Sequence, residues 1–400
     1  MRYKLRGAVV LTEKGRERVD LLVEDGRIAA LGRVAALAAK EIDLSGLTLL
    51  PGFIDIHLHG AGGKDTMEGT YQALNKIATT HAKHGTTAMI PASVAATHEE
   101  LLAVAEAIKT AVEKGTEGAK ILGWHIEGPY MNLECLGAHR AECLRSASIK
   151  ETEELSAASG NNIKVMTLAP EIEGALELIG YLRSIGAVPS MGHTMATVEQ
   201  FDRAVTAGAM HTTHLFNAMR KFHHREPGII GAALTDKRVT SEVIADGIHV
   251  HPLALKLFYQ CKGPERALLV TDSIEAVDLN DGEYSLGSLK VIVKDGSARL
   301  SDGTLAGSTL TMEKAVYNMI KYAGASLENA SWMASLNPAK LLNLDYRKGS
   351  IALGKDADLV AIDDDFKVRL TMVEGNIIYK ASLALHEPIT NLSTSDICRK

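Results

Sequence analysis

The chain has 400 residues, 46% of them hydrophobic, and carries a net charge of −6 at neutral pH. That length buries a large core and suits one big domain plus a small one, while the acidic balance and the lack of any basic cluster argue against nucleic acid or anionic membranes and leave small molecules as the expected partners. No apolar run approaches the roughly 20 residues of a membrane span, and "MRYKLRGAVVLTEKG" at the N-terminus lacks a signal-peptide core, so a cytoplasmic location is expected.

In chain order, residues 1–50 hold "KLRGAVVLT", "RVDLLVEDGRIAALG" and "EIDLSGLTLL", strand-rich runs broken by an Asp-Gly turn. From residue 51 the pattern changes. Eight short apolar or β-branched runs, "GFIDIHLH", "TTAMIPA", "KILGWHIE", "KVMTLAPE", "AVPSMGH", "MHTTHL", "TSEVIADGIH" and "ALLVTD", alternate with amphipathic stretches. Two of those stretches carry helix-start signals: Thr97-x-x-Glu100, closing at Gly115, and Thr197-x-x-Gln200, closing at Gly208. Eight β-then-α units predict an α/β fold, a (β/α)8 TIM-type barrel over 51–345. The last ordered-looking segment, "RKGSIALGKDADLVAIDDDFKVRLTMVEGNIIYK", is again strand-rich. Residues 1–50 and 346–400 are therefore expected to meet in a small β-sandwich domain, since neither could bury a core alone.

Barrel enzymes build their sites at the C-terminal ends of the strands, and here the runs end in His57 and His59, Glu127, Glu171, His193, His214, His249 and Asp272. A strand alternates faces, so His57 and His59 point the same way with Leu58 opposite. The four cysteines, Cys135, Cys143, Cys261 and Cys398, show no C-x-x-C spacing, so a metal here would be held by imidazoles and carboxylates. Such ligands suit a borderline divalent ion that leaves one position to water and lowers its pKa, with Asp272 placed to accept the proton. No site role is expected for His211, His223, His224 or His251; Trp124 and His125 read as barrel packing, and "GAGGKD" is not a phosphate-binding loop because no Gly-Lys-Ser/Thr follows.

A set of motifs in order, "PGFIDIHLHG", "HIEGPYMN", "GAH", "TLAPE", "GHTMAT", "THLFNAM", "HHREPG", "IADGIHVHP", "LVTDSIEA" and "LAGSTLTM", resembles the amidohydrolase superfamily and, within it, the N-acetylglucosamine-6-phosphate deacetylase family. The resemblance implies that Glu127, His193 and His214 hold the principal metal, and that His57 and His59 hold a second one beside Glu127 and Asp272. One or two divalent ions per chain are thus implied, zinc first, with iron, manganese or cobalt as alternatives. It further implies Asp272 as acid/base, His249 on the acetamide oxygen, His139 on sugar hydroxyls, and Asn217, Ala218 and Arg225 on the substrate phosphate. Arg225 is expected to reach across a homodimer interface.

The expected substrate is an amino sugar phosphate. The alternatives are the epimer N-acetylgalactosamine-6-phosphate, a cyclic amide, for which a bridging lysine would be needed in place of Glu127, and a non-catalytic binding scaffold, which would have lost ligands that this chain keeps.

Overall fold

The computed structural model describes residues 1–34 and 39–381; the tail 382–400, with Cys398 and the end of the second terminal segment, lies outside them. Every residue of Phe53–Leu58 and of Thr86–Ser93 is buried, the pattern of parallel strands covered on both faces. These are β1 and β2. Trp124–Glu127 (β3), Ile163–Leu168 (β4), Val188–Met191 (β5), His211–Thr212 (β6), Thr240–Ile244 (β7) and Ala267–Val270 (β8) follow, each paired in parallel with the one before. Past β8 the chain meets β1 again: the Asp272 N–H donates to the His57 carbonyl at 2.9 Å and the His59 N–H to the Ser273 carbonyl at 2.8 Å. Asp55 fastens the same seam by accepting the Thr271 hydroxyl at 2.5 Å. The eight-stranded barrel read from the sequence is present.

Helices α1 (Tyr71–Ala82), α2 (His98–Lys114), α3 (Ile149–Ala158), α4 (Ala175–Ser184), α5 (Val198–Ala207), α6 (Gly228–Thr235) and α7 (Pro252–Lys262) return the chain after β1 to β7. The capping boxes expected at Thr97/Glu100 and Thr197/Gln200 both form, and each satisfies two otherwise orphaned N–H groups. Gly115 and Gly208 end these helices at φ 77° and 119°, values that an L side chain resists.

Three expectations need correction. The run "KILGWHIE" is two pieces, Lys120–Ile121 and β3, because Gly123 (φ 153°) passes so close to Lys164 and Asn162 that a Cβ would overlap both. The fourth to eighth runs leave strand geometry earlier than read, at Leu168, Met191, Thr212, Ile244 and Val270, so Glu171, His193, His214, His249 and Asp272 sit on the loops that follow. Finally, an antiparallel sheet of Gly282–Leu286, Leu289–Lys294 and Ser297–Arg299 goes unmentioned in the sequence reading, although Asp295-Gly296 marks one of its turns. It packs Leu286, Val291 and Ala298 on Val94, Ala138 and Ile274 beside the barrel mouth.

The chain ends form two further sheets. Arg2–Arg6 lies between Asp20–Glu24 and Lys40–Asp43, while Thr48–Pro51 pairs with Leu359–Ile362 in a six-stranded sheet containing both ends. Leu5, Leu21, Leu49, Leu359, Leu370 and Met372 share one core between them. No helix among the described residues is long and apolar enough to cross a membrane.

One partly buried ion cluster ties the end of α1 to the segments after β8. His84 places Nδ1 2.9 Å from Glu313 and Nε2 2.8 Å from Asp278. Burial alone would depress its pKa, but the two carboxylates outweigh burial and raise it from 6.5 to about 9. A folded-state pKa above the unfolded value stabilises fully below about pH 6.5 and is lost as pH rises through 9. His84→Gln should therefore lower the melting temperature more at about pH 6 than at about pH 10; equal losses at both would contradict the assignment.

Candidate active site

Glu127 ends β3 with its carboxylate at the barrel axis, and five imidazoles approach it. His214 Nε2 and His193 Nε2 lie 3.0 and 3.2 Å from Oε1, with His57 Nε2 at 3.4 Å; His59 Nε2 and His139 Nε2 lie 3.3 and 3.5 Å from Oε2. Asp272 joins from the far side, 3.1 Å from His59 Nε2 and 3.6 Å from His57 Nε2. All seven side chains are buried. His193, His214 and Asp272 hold positive φ angles of 48°, 26° and 47°. Such a conformation costs a non-glycine residue about 1–3 kcal/mol, so the surroundings impose the inward turn of these side chains at some expense.

The hydrogen bonds on the outer nitrogens fix what the inner ones can do. His193 Nδ1 faces the Cys135 carbonyl at 2.9 Å, His59 Nδ1 the Ala92 carbonyl at 3.2 Å, and His57 Nδ1 the Glu242 carboxylate at 3.0 Å. These partners only accept, so each Nδ1 carries a proton, and a ring left neutral turns a bare Nε2 toward Glu127 or Asp272. Lone pairs then face lone pairs. His193 Nε2 and His214 Nε2 are 3.2 Å apart, and His57 Nε2 is buried without a hydrogen bond. A cation among these atoms resolves the conflict, and this donor set fits a divalent metal ion.

His139 is wired the other way. The Ala95 N–H donates to its Nδ1 at 3.1 Å, so the proton of the neutral ring sits on Nε2, making His139 a hydrogen-bond donor rather than a ligand. The triplet Glu127, His139 and His193 has the spacing for an ion, but the tautomer of His139 does not suit one.

The charge balance points the same way. Burial would lower the pKa of His59, yet its hydrogen bonds to Asp272 and Glu127 raise it to about 9. Burial likewise opposes ionisation of Asp272, and the facing His57 and His59 overcome it and hold its pKa at about 2. His193, where burial dominates, falls to about 4 and stays neutral. The pocket thus demands positive charge that its own side chains supply only by taking up protons.

A cavity of about 390 Å³ opens onto this cluster, lined by Glu127, His139, His193, His214, Asn217, Ala218, His249 and Asp272 among others. Its volume falls within the range of small-molecule sites. His249 lines it with Nδ1 held by Asp246 at 2.6 Å. Asn217 donates to the His214 carbonyl at 3.2 Å and braces the turn that carries His214. Arg225 is not brought to the cavity within one chain: it is exposed, and its guanidinium meets His224 at 3.0 Å. Glu171 leaves the mouth as well, bonding Asn132 and Thr194. Of the histidines given no site role, His211 is buried against Glu242, His251 caps α7, and His223 and His224 are exposed. The sequence reading also passes over Glu242 and the cavity-lining Lys221.

The sequence profile of the amidohydrolase family matches residues 48–378. The N-acetylglucosamine-6-phosphate deacetylase of Bacillus subtilis is 40% identical over 89% of this chain and 92% of its own length. The N-acetylgalactosamine-6-phosphate deacetylase of Escherichia coli O157:H7 is 38% identical over 94% of this chain and 99% of its own. Among solved structures, a mutant N-acetyl-D-glucosamine-6-phosphate deacetylase from Mycobacterium smegmatis, in complex with N-acetyl-D-glucosamine-6-phosphate, superposes with a TM-score of 0.88 at 35% identity, covering 95% of this chain and 99% of that one.

The two tautomer classes predict opposite behaviour on truncation. His193→Ala should purify with most of its metal lost, whereas His139→Ala should retain the metal and lose activity. Metal loss from His139→Ala, measured by elemental analysis, would contradict the donor assignment.

Proposed function

The chain belongs to the amidohydrolase family, and from that premise we propose that it hydrolyses the acetamide of N-acetylglucosamine-6-phosphate, giving glucosamine-6-phosphate and acetate. The observation that carries this reading is the buried meeting of Glu127, His193, His214 and Asp272 at the end of a cavity of sugar-phosphate size.

Glu127, His193 and His214 would hold one divalent ion, and His57 and His59, beside Glu127 and Asp272, would hold a second. Bound there, it supplies Lewis acidity toward the acetamide oxygen and acidifies the attacking water. Zinc suits the mixed imidazole and carboxylate donors, as do iron, manganese and cobalt.

The chain's own residues then divide the work. Asp272 takes the proton of the attacking water and returns it to the sugar nitrogen, without which an amide nitrogen is a poor leaving group. His249, which lines the cavity with its ring oriented by Asp246 through Nδ1, would steady the charge developing on the acetamide oxygen. The Nε2–H of His139 suits a sugar hydroxyl.

For the phosphate, Asn217 and the backbone at Ala218 lie in the cavity wall, and Lys221 adds a cation there. Arg225 would complete the subsite from a second copy of the chain, its planar fork matching phosphate oxygens.

The galacto epimer remains the second reading, supported by the E. coli O157:H7 relative. Acetate release from the two 6-phosphates and from unphosphorylated N-acetylglucosamine, side by side, separates them. The gluco phosphate should be the best substrate and lose all turnover on chelation; a galacto preference moves the chain to that branch, and no release from any of them defeats the reading. Asp272→Asn should cut turnover by about 10²–10⁴-fold while substrate still binds. Retained turnover would remove Asp272 from the chemistry.

A further inference from the structure

Glu242, the third residue of β7, is a carboxylate with 0% exposure that does not line the cavity and so does not meet substrate. It nonetheless gathers three donors. Oε2 lies 3.0 Å from His57 Nδ1 and 3.0 Å from the His214 backbone N–H, and Oε1 lies 3.1 Å from His211 Nε2. Its ion-pair partners among the described residues are imidazoles, with no lysine or arginine beside it. A buried carboxylate without a permanent cation is an expensive feature to keep in a barrel core, and packing does not account for it.

We propose that Glu242 is a positioning residue that makes His57 a ligand for a second metal ion; this rests on the two-ion reading above. By accepting from Nδ1, the carboxylate fixes the His57 proton on the outer nitrogen and leaves Nε2 bare. That Nε2 is buried without a hydrogen bond, 3.4 Å from Glu127 and 3.6 Å from Asp272. The negative charge of Glu242 also makes the ring a better electron-pair donor. Its third bond, to the His214 N–H, braces the left-handed turn that aims a ligand of the first ion, so one buried side chain supports both positions.

His57, His125 and Glu242 themselves have the spacing for an ion, but their nitrogens are committed elsewhere. His125 donates from Nδ1 to the Ile56 carbonyl at 3.0 Å and accepts from the Thr167 hydroxyl on Nε2 at 2.7 Å. The ion therefore belongs on the Nε2 side of His57, toward Glu127 and Asp272.

Glu242→Gln is the informative variant because it keeps the shape. Its amide oxygen can still accept from His57 and His214 while the amide nitrogen turns to His211, so the fold survives and the charge is lost. Metal-stripped full-length protein is titrated with zinc against a chromophoric chelator, and the thermal melt of each stripped variant is recorded alongside. Wild type should bind two ions; Glu242→Gln should bind the weaker one about 10–100-fold less tightly, with the tighter one changed by less than about threefold. In a His57→Asn background, which removes the second site, adding Glu242→Gln should change zinc binding no further. A wild type that binds one ion overturns the two-ion reading and this proposal together. A wild type with two ions and a Glu242→Gln variant that matches it, or an equal loss with and without His57, overturns the role of Glu242 alone.

Discussion

Everything at the mouth of this barrel is arranged around one carboxylate. Glu127 is faced by five imidazole nitrogens, of which three belong to rings that carry their proton on the far side. Such a cluster is unfavourable in an ion-free interior, because bare nitrogens and carboxylate oxygens repel and burial removes the water that would separate them. The barrel holds it by carrying these side chains on the ends of paired strands and on the loops that leave them. β1 and β3 flank β2, and the closing seam places His57 and His59 against Asp272 through backbone hydrogen bonds.

The outer contacts are what differentiate chemically identical side chains. Carbonyls of Cys135 and Ala92 and the carboxylate of Glu242 hold a proton on Nδ1 of His193, His59 and His57, while one backbone N–H, from Ala95, takes Nδ1 of His139 as its acceptor. Which ring nitrogen carries the proton is thus set by whether the neighbouring group offers oxygen or hydrogen.

The barrel was legible because its signals are local and periodic. Apolar runs with turn chemistry gave the strands, and the Thr97 and Thr197 capping boxes gave helix starts to the residue. His57 and His59 were readable as a pair because strand period alone aligns them. Glu242 was not, since its meaning depends on His57, two strands away past the closing seam, and on His211 on the adjacent strand, which no local pattern encodes. The three-stranded sheet over 282–299 was missed for another reason: its alternation is that of an ordinary surface hairpin, and an eight-unit count leaves no place for it. Arg225 was legible only through resemblance, and one chain leaves it on the surface, away from the cavity.

The donor set around Glu127 fits a metal ion. Anomalous diffraction from crystals of active enzyme, collected on both sides of the absorption edges of zinc and iron, tests it most directly. The account predicts a strong peak within bonding distance of Glu127, His193 and His214, and a second between His57, His59 and Asp272. A map without peaks at these nitrogens, from crystals whose dissolved protein still releases acetate, would contradict it.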